Sequence, residues 1–414
     1  MSIQNKISSS FNNLRLYCEN EKFKGWDPYD GLNSPFFKFN PLIFIRFFRL
    51  ATIQFFKKFP YNLRTLLLIN KGYNPKGLGL FLTSYCNLYK FEKRPEYLEK
   101  INFLAKKIIE LQTQGYAGAC WGYNFDWQSR VFFLKKGTPT IVVTSFVSYS
   151  LMDAYDITKN EDYLKTALSS CEFVIQNLNR TTDENGFIFS YSPLDNTSVF
   201  NASLLGSRLL ARAYSYNKNE NYLKIAKQSV NSVVKNQKDD GSWLFGKASM
   251  QNWVDSFHTG YKLECISEYQ KYSRDLSYNN NIDLGLKYYL ENFFLEDGTP
   301  KYYDKKVYPI DIHCPAQLIA TLHRLSKIEE NIFLVEKVLN WTIDNMQDKN
   351  GCFYYQIKNN HSIKIPYIRW GQAWMMYGFS FYFLNKHSDS NFNADVNKNI
   401  SNELVDCIEL KSII

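Results

Sequence analysis

The chain has 414 residues, 45% of them hydrophobic and 21% charged, with a formal net charge of +9. That balance is globular, and the length suits two domains or one large repeat domain. The excess basic charge is spread among lysines with no nucleic-acid module signature beside it, which excludes a nucleic-acid partner and gives slight support for an acidic one.

From the N-terminus, residues 1–20 lack the apolar stretch and cleavage site of a signal peptide. Eight cysteines with no C-x-x-C pair suit buried free thiols in a reducing compartment, so a cytoplasmic protein is expected. The segment Asp27-Pro28-Tyr29-Asp30-Gly31-Leu32-Asn33-Ser34-Pro35 belongs to an extension, 1–40, expected to fold across the mouth of whatever follows. Residues 41–70 are apolar but interrupted by Arg46, Arg49, Lys57, Lys58, Pro60 and Arg64. No stretch there reaches the roughly 18 uncharged residues of a membrane span. The segment reads either as a buried helix or as a basic amphipathic helix making peripheral membrane contact.

Beyond it a unit repeats. Five times a helical segment meets a Gly and breaks into an aromatic strand: at Trp121-Gly122-Tyr123, Gly186-Phe187, Gly241-Ser242-Trp243, Gly298-Thr299 and Gly351-Cys352-Phe353. The last four glycines lie 55, 57 and 53 residues apart, a period that fits one helical hairpin plus a long loop. Outer helices open at the near copies Glu96-Tyr97-Leu98-Glu99, Asp162-Tyr163-Leu164-Lys165 and Asn221-Tyr222-Leu223-Lys224, each starting an amphipathic run. Between them lie less charged segments, 144–157, 202–216, 261–272, 315–328 and finally 371–384, expected as buried inner helices. Helix 41–70, five inner–outer pairs and the last inner helix make six hairpins if the first and last pair up. The fold expected is an all-α (α/α)6 toroid over 41–386, with short aromatic strands in the loops of one face and a loosely attached tail at 387–414.

In such a ring the residues before each inner helix converge on the axis, and unusual polar residues cluster there. Candidate catalytic groups are Asp126, Asp255, His258, Asp311 and His313. Candidate substrate-binding groups are Asp27, Asp30, Trp127, Gln128, Arg130, Trp253, Tyr261, Lys262, Arg369, Trp370, Gln372 and Trp374. Rings stack on sugar C–H faces, polar forks grip hydroxyls or carboxylates, and carboxylates on opposite junctions can act as acid and base across a glycosidic bond. The competing readings are structural: Asp255 and Asp311 as helix caps, Asp27 and Asp30 as Asx turns, and each His as a packed core residue. No His-x-x-x-His or equivalent spacing marks a metal site, and no cofactor is expected.

Arg369-Trp370-Gly371-Gln372-Ala373-Trp374, followed by Tyr377-Gly378-Phe379, resembles the R-G-Q-A-W…Y-G-F helix of unsaturated glucuronyl hydrolases in the six-hairpin glycosidase superfamily; Trp370 is an insertion. That likeness implies an Asp general acid/base, although the catalytic Asp motifs of those enzymes have no match here. The segment 27–35 and Gly122-Tyr123-Asn124-Phe125-Asp126-Trp127-Gln128 resemble toroids encoded with bacterial surface-polysaccharide biosynthesis proteins. Gln237 to Trp243 is similar to the Q-x-x-x-G-x-W clasp of triterpene cyclases, but their D-x-D-D acid motif is missing. The function expected is glycoside hydrolase-like acid/base chemistry on an oligosaccharide or lipid-linked glycan in surface-polysaccharide assembly. The alternatives are a uronyl epimerase or lyase, using His258, His313 or Tyr261 with Arg369 on a carboxylate, and a non-catalytic glycan-binding toroid.

Overall fold

A computed structural model of the chain describes residues 2–386; the tail expected at 387–414 lies outside the described residues. Six inner helices, Pro75–Phe91, Ile141–Thr158, Phe200–Asn217, Ser256–Ser273, His313–Arg324 and 374–386, surround the axis. Six outer helices enclose them: Ile3–Asn20, Pro95–Glu110, Glu161–Glu172, Glu220–Val234, Asn279–Phe293 and Ile332–Met346. This is the all-α toroid that the repeat implies.

The two rings differ for sequence reasons. Outer helices carry one apolar stripe, such as Ile101, Leu104, Ala105 and Ile108, whereas residues 141–154 and 200–213 are buried on every side. Small hydroxyls let the layers approach closely, Ser148 bonding Ser170 and Ser203 bonding Ser229, each at 2.7 Å. Inner-to-outer turns are tight: Lys159 and Lys218 adopt left-handed conformations, and Asn160 and Asn219 cap the helices that follow. The long outer-to-inner loops all emerge at the other end. They carry the short strands Trp127–Gln128 with Phe133–Leu134, Arg180–Asp183 with Gly186–Phe189, and Ile310–Asp311 with Gln356–Ile357 and Ser362–Ile363, all antiparallel.

The repeat glycines are contact points between neighbouring hairpins. Gly241 has φ +88°, and a Cβ there would lie 2.4 Å from the Leu284 carbonyl oxygen of the next outer helix. Gly186 abuts Gln228 and Gly298 abuts Lys337 in the same way. In the first copy the equivalent residue is Gly118, against Ser169, and not Gly122, which lacks the positive φ. Gln237 reinforces its turn by donating to the Gly241 and Asn281 carbonyls, both at 2.9 Å.

The last copy shows how the ring closes. Gly351 (φ +94°) abuts the carbonyl of Asn13, and Gln347 donates to Ser10 O at 2.9 Å and Gly351 O at 3.0 Å. The sixth outer helix is therefore Ile3–Asn20, where 41–70 was expected. Its Ile7, Phe11, Leu14 and Cys18 form the buried stripe, and Phe11 meets the rings of Phe379 and Phe383. Residues 26–71 instead form a strap across the loop end of the ring. Its neck is pinned by paired Gly25 and Gly72, whose N–H groups donate to each other's carbonyls at 3.1 and 3.0 Å. Within it the helix Arg46–Lys58 is held from below by Thr52, Ile53 and Phe56.

Replacing Gly351 by Ala adds a Cβ 2.4 Å from the Asn13 carbonyl at a left-handed position. The expected loss is about 2 kcal/mol or more in unfolding free energy, read as a lower urea midpoint; an unchanged midpoint would mean that the first helix does not close the ring.

Candidate active site

The strap and the loop ends enclose a cavity of about 400 Å³. Aromatic rings make most of its wall. Tyr29 of the strap lies 5.9 Å from Trp127 and 5.8 Å from Trp370, and Tyr123 stacks on Phe125 at 5.1 Å. Phe245 stacks on Trp253 at 4.5 Å. Of the sequence candidates, Trp127, Gln128, Arg130, Trp253, His258, Tyr261, His313, Arg369 and Trp370 line this space. No Asp or Glu does.

The five expected carboxylates are committed behind or beside the wall. Asp126 is half-buried and accepts the Lys136 N–H at 2.7 Å, so it shapes the hairpin turn and does not face the cavity. Asp27 clamps Arg369 through both oxygens, at 2.6 and 2.8 Å, and Asp30 takes Arg64 Nε at 2.7 Å. Both are in buried ion pairs and neither lines the cavity. Asp311 accepts from the His313 N–H at 3.0 Å, Trp370 Nε1 at 2.8 Å and the Gln356 amide. Burial pushes its carboxyl above the usual range despite those donors.

Asp255 caps its helix through the His258 N–H at 3.0 Å and accepts Trp253 Nε1 at 2.9 Å. It also lies 2.7 Å from His258 Nδ1. Burial acts to raise its pKa, but the charge and hydrogen bonds of His258 with the Lys262 charge prevail and hold it low. Thus the cap reading holds, and the carboxylate that starts the helix also engages the His258 imidazole. With Nδ1 engaged, Nε2 is the nitrogen left free, and the side chain keeps 18% of its surface exposed.

His313 is more deeply set, stacked between Phe257 at 4.3 Å and Trp374 at 4.1 Å. Its Nε2 lies 2.8 Å from the Tyr261 hydroxyl, and its Nδ1 has no partner. Burial lowers the pKa of both histidines. For His313 the lowering is large and is increased by Lys76, His258 and Arg369; for His258 it is partly offset by Asp255. Burial therefore favours the neutral form of both rings.

Three expected ligands stand elsewhere. Gln372 clasps the Phe353 backbone with two bonds of 2.8 Å, Lys262 donates to Trp243 O at 3.3 Å, and Trp374 lies beneath His313 and Tyr261. Lys262 is buried and its pKa falls to about 8. Arg369 and Trp370 sit in a π-helical turn, Ile368–Ala373, that leads into the last inner helix.

Lys76 was not anticipated. It enters from the first turn of the first inner helix, capped by Asn74, and its ammonium is 3.5 Å from the Tyr261 hydroxyl and 4.3 Å from the Phe146 ring centre. Burial and the nearby Arg369 lower its pKa well below the ordinary lysine value. The Asn-Pro-Lys start was the only trace of it in the sequence, and lysine after a cap ordinarily faces water.

No protein-family model matches the sequence, and a comparison with curated proteins returns no match. Solved structures do match. A cellobiose 2-epimerase from Bacillus thermoamylovorans superimposes with a TM-score of 0.61 at 14% identity, over 76% of this chain and 88% of that one. The GH76 α-mannanase of Bacteroides thetaiotaomicron gives 0.57 at 14%, over 77% and 88%. An unsaturated glucuronyl hydrolase specific for heparin gives 0.58 at 12%, over 77% and 88%. These likenesses establish the shared six-hairpin toroid fold.

Replacing Asp27 by Ala strands the buried Arg369 charge, with an expected loss of about 3–5 kcal/mol in unfolding free energy; a loss below about 1 kcal/mol would show that the pair is dispensable. A pH series tests His313. Its folded pKa lies below the unfolded value near 6.5, so the unfolded chain binds the proton first and this contribution shrinks as pH falls through that value. The melting-temperature gap between wild type and His313→Gln is expected to narrow from pH 7.5 to 5.5, and a gap that widens on acidification contradicts the buried neutral assignment.

Proposed function

We propose that the protein is a carbohydrate-active enzyme that moves a proton at a sugar carbon next to a carbonyl or carboxylate, as an epimerase or isomerase does. The observation carrying this reading is a cavity that presents two imidazoles, whose neutral forms burial favours, and no carboxylate among the described residues. Two-carboxylate glycoside hydrolysis needs an acid and a second carboxylate flanking the bond, and the candidates for both roles are already bonded elsewhere.

In this reading a sugar ring stacks among Tyr29, Trp127, Trp253 and Trp370. His258 Nε2 removes the proton, and Asp255 holds the ring in place and stabilises the imidazolium that forms. Arg369 and Lys76 offset the negative charge developing on the substrate oxygen. The Tyr261–His313 pair returns a proton, and return to the opposite face inverts the carbon. The fold shared with cellobiose 2-epimerase is compatible with this chemistry. The resemblance of 27–35 and 122–128 to toroids encoded with surface-polysaccharide proteins supports a glycan of that route as the substrate. The scattered thiols support a cytoplasmic setting.

The test is incubation with reducing oligosaccharides, amino sugars and uronic-acid oligosaccharides in deuterated water. Solvent deuterium is expected to enter a ring carbon, with the rate falling about 10²–10⁴-fold in His258→Asn. New reducing ends formed without deuterium entry would identify a hydrolase and refute the proposal.

A further inference from the structure

The outer side of the strap is unlike the rest of the surface. Phe39, Phe44 and Phe47 are 89%, 85% and 78% exposed. The helix Arg46–Lys58 presents Phe47, Ala51 and Phe55 outward while Thr52, Ile53 and Phe56 face the protein. A helix on a water-facing surface ordinarily turns its charged side out; this one is apolar on both sides. Aromatic residues clustered on one outer face mark an interaction surface, not scattered exposure.

The charge pattern identifies the partner. Between Asp30 and Glu92 the sequence contains no Asp or Glu, and Lys38, Arg46 and Lys58 are exposed beside the phenylalanines. Aromatic rings flanked by basic side chains suit the headgroup zone of an anionic bilayer, where rings enter the interface and lysines meet phosphates. A second copy of the chain would set one carboxylate-free basic face against another. No helix among the described residues is long and apolar enough to cross a membrane, and interfacial contact needs none.

The inner side of the same strap supplies Leu50, Ile53, Gln54 and Lys57 to the cavity wall. Arg49 reaches Gln128 at 2.8 Å and Lys57 reaches the Tyr29 hydroxyl at 2.9 Å. We propose that the outer face of the strap docks on the anionic headgroup surface of a bilayer and holds the cavity beside it, so that the substrate is a membrane-tethered glycan. The docking step stands whichever reaction the cavity performs; the tethered substrate rests on the carbohydrate reading above.

Sedimentation of the intact protein with phosphatidylglycerol–phosphatidylcholine vesicles tests docking. Binding is expected to vanish on pure phosphatidylcholine and to weaken at high salt. Lys38→Gln with Lys58→Gln is expected to weaken it about 25-fold, at about fivefold per charge. Phe39→Ser with Phe44→Ser and Phe47→Ser is expected to abolish it with the melting temperature unchanged. Absence of sedimentation, equal binding to neutral vesicles, or concentration-dependent dimerisation lost in the same variants would each overturn docking. Vesicle binding without any activity on carbohydrates would leave docking intact and refute the glycan substrate.

Discussion

The bidentate pair between Asp27 and Arg369 is the constraint on which the site depends. It joins the chain just after the first outer helix to the turn that opens the last inner one, across 342 positions of sequence. Both partners are buried, so either charge alone is costly, and two parallel N–H···O bonds fix direction as well as distance. Trp370, the next residue, is thereby set to donate to Asp311, and Asp311 in turn receives the His313 N–H. The strap's neck and the imidazole at the axis are consequently parts of one hydrogen-bonded frame. Asp30 with Arg64 extends that frame to the far end of the strap.

The ring was legible because its glycines answer to a backbone requirement. A carbonyl of the neighbouring helix lies where a side chain would begin, so the turn recurs in five of the six hairpins whatever its surroundings. Helix Ile3–Asn20 was overlooked although Ile7, Phe11, Leu14 and Cys18 keep helical spacing, because serines and asparagines dilute its stripe and 41–70 is more apolar. Hydrophobicity chose the wrong segment for a physical reason: the strap is apolar on two faces, one toward the ring and one toward its surroundings.

At the site, residue type and position in the repeat located His258, His313, Tyr261, Arg369 and the aromatic wall. They did not reveal which groups were already satisfied. Asp126, Asp255 and Asp311 share the same kind of junction, and only their partners distinguish a turn, a cap that also engages an imidazole, and a buried acceptor of three hydrogen bonds. Lys76 was invisible because nothing local marks a lysine as buried; the helices around it, brought together by the fold, desolvate it. The polar floor below is similarly nonlocal, with Arg208 on Glu264 and Arg212 on Asp153 pairing charges between neighbouring inner helices.

The chemistry follows from what the frame places in front and what it keeps behind. Carboxylates lie behind the wall, where they bond imidazole, indole and guanidinium groups, and the cavity is lined by aromatic rings, histidines, lysines and arginines. The most direct measurement of that arrangement is nitrogen-15 NMR of histidine-labelled protein at pH 7. The account predicts a neutral His258 with its proton on Nδ1 toward Asp255 and a bare Nε2. A doubly protonated His258, or one titrating above the ordinary histidine value, would contradict it.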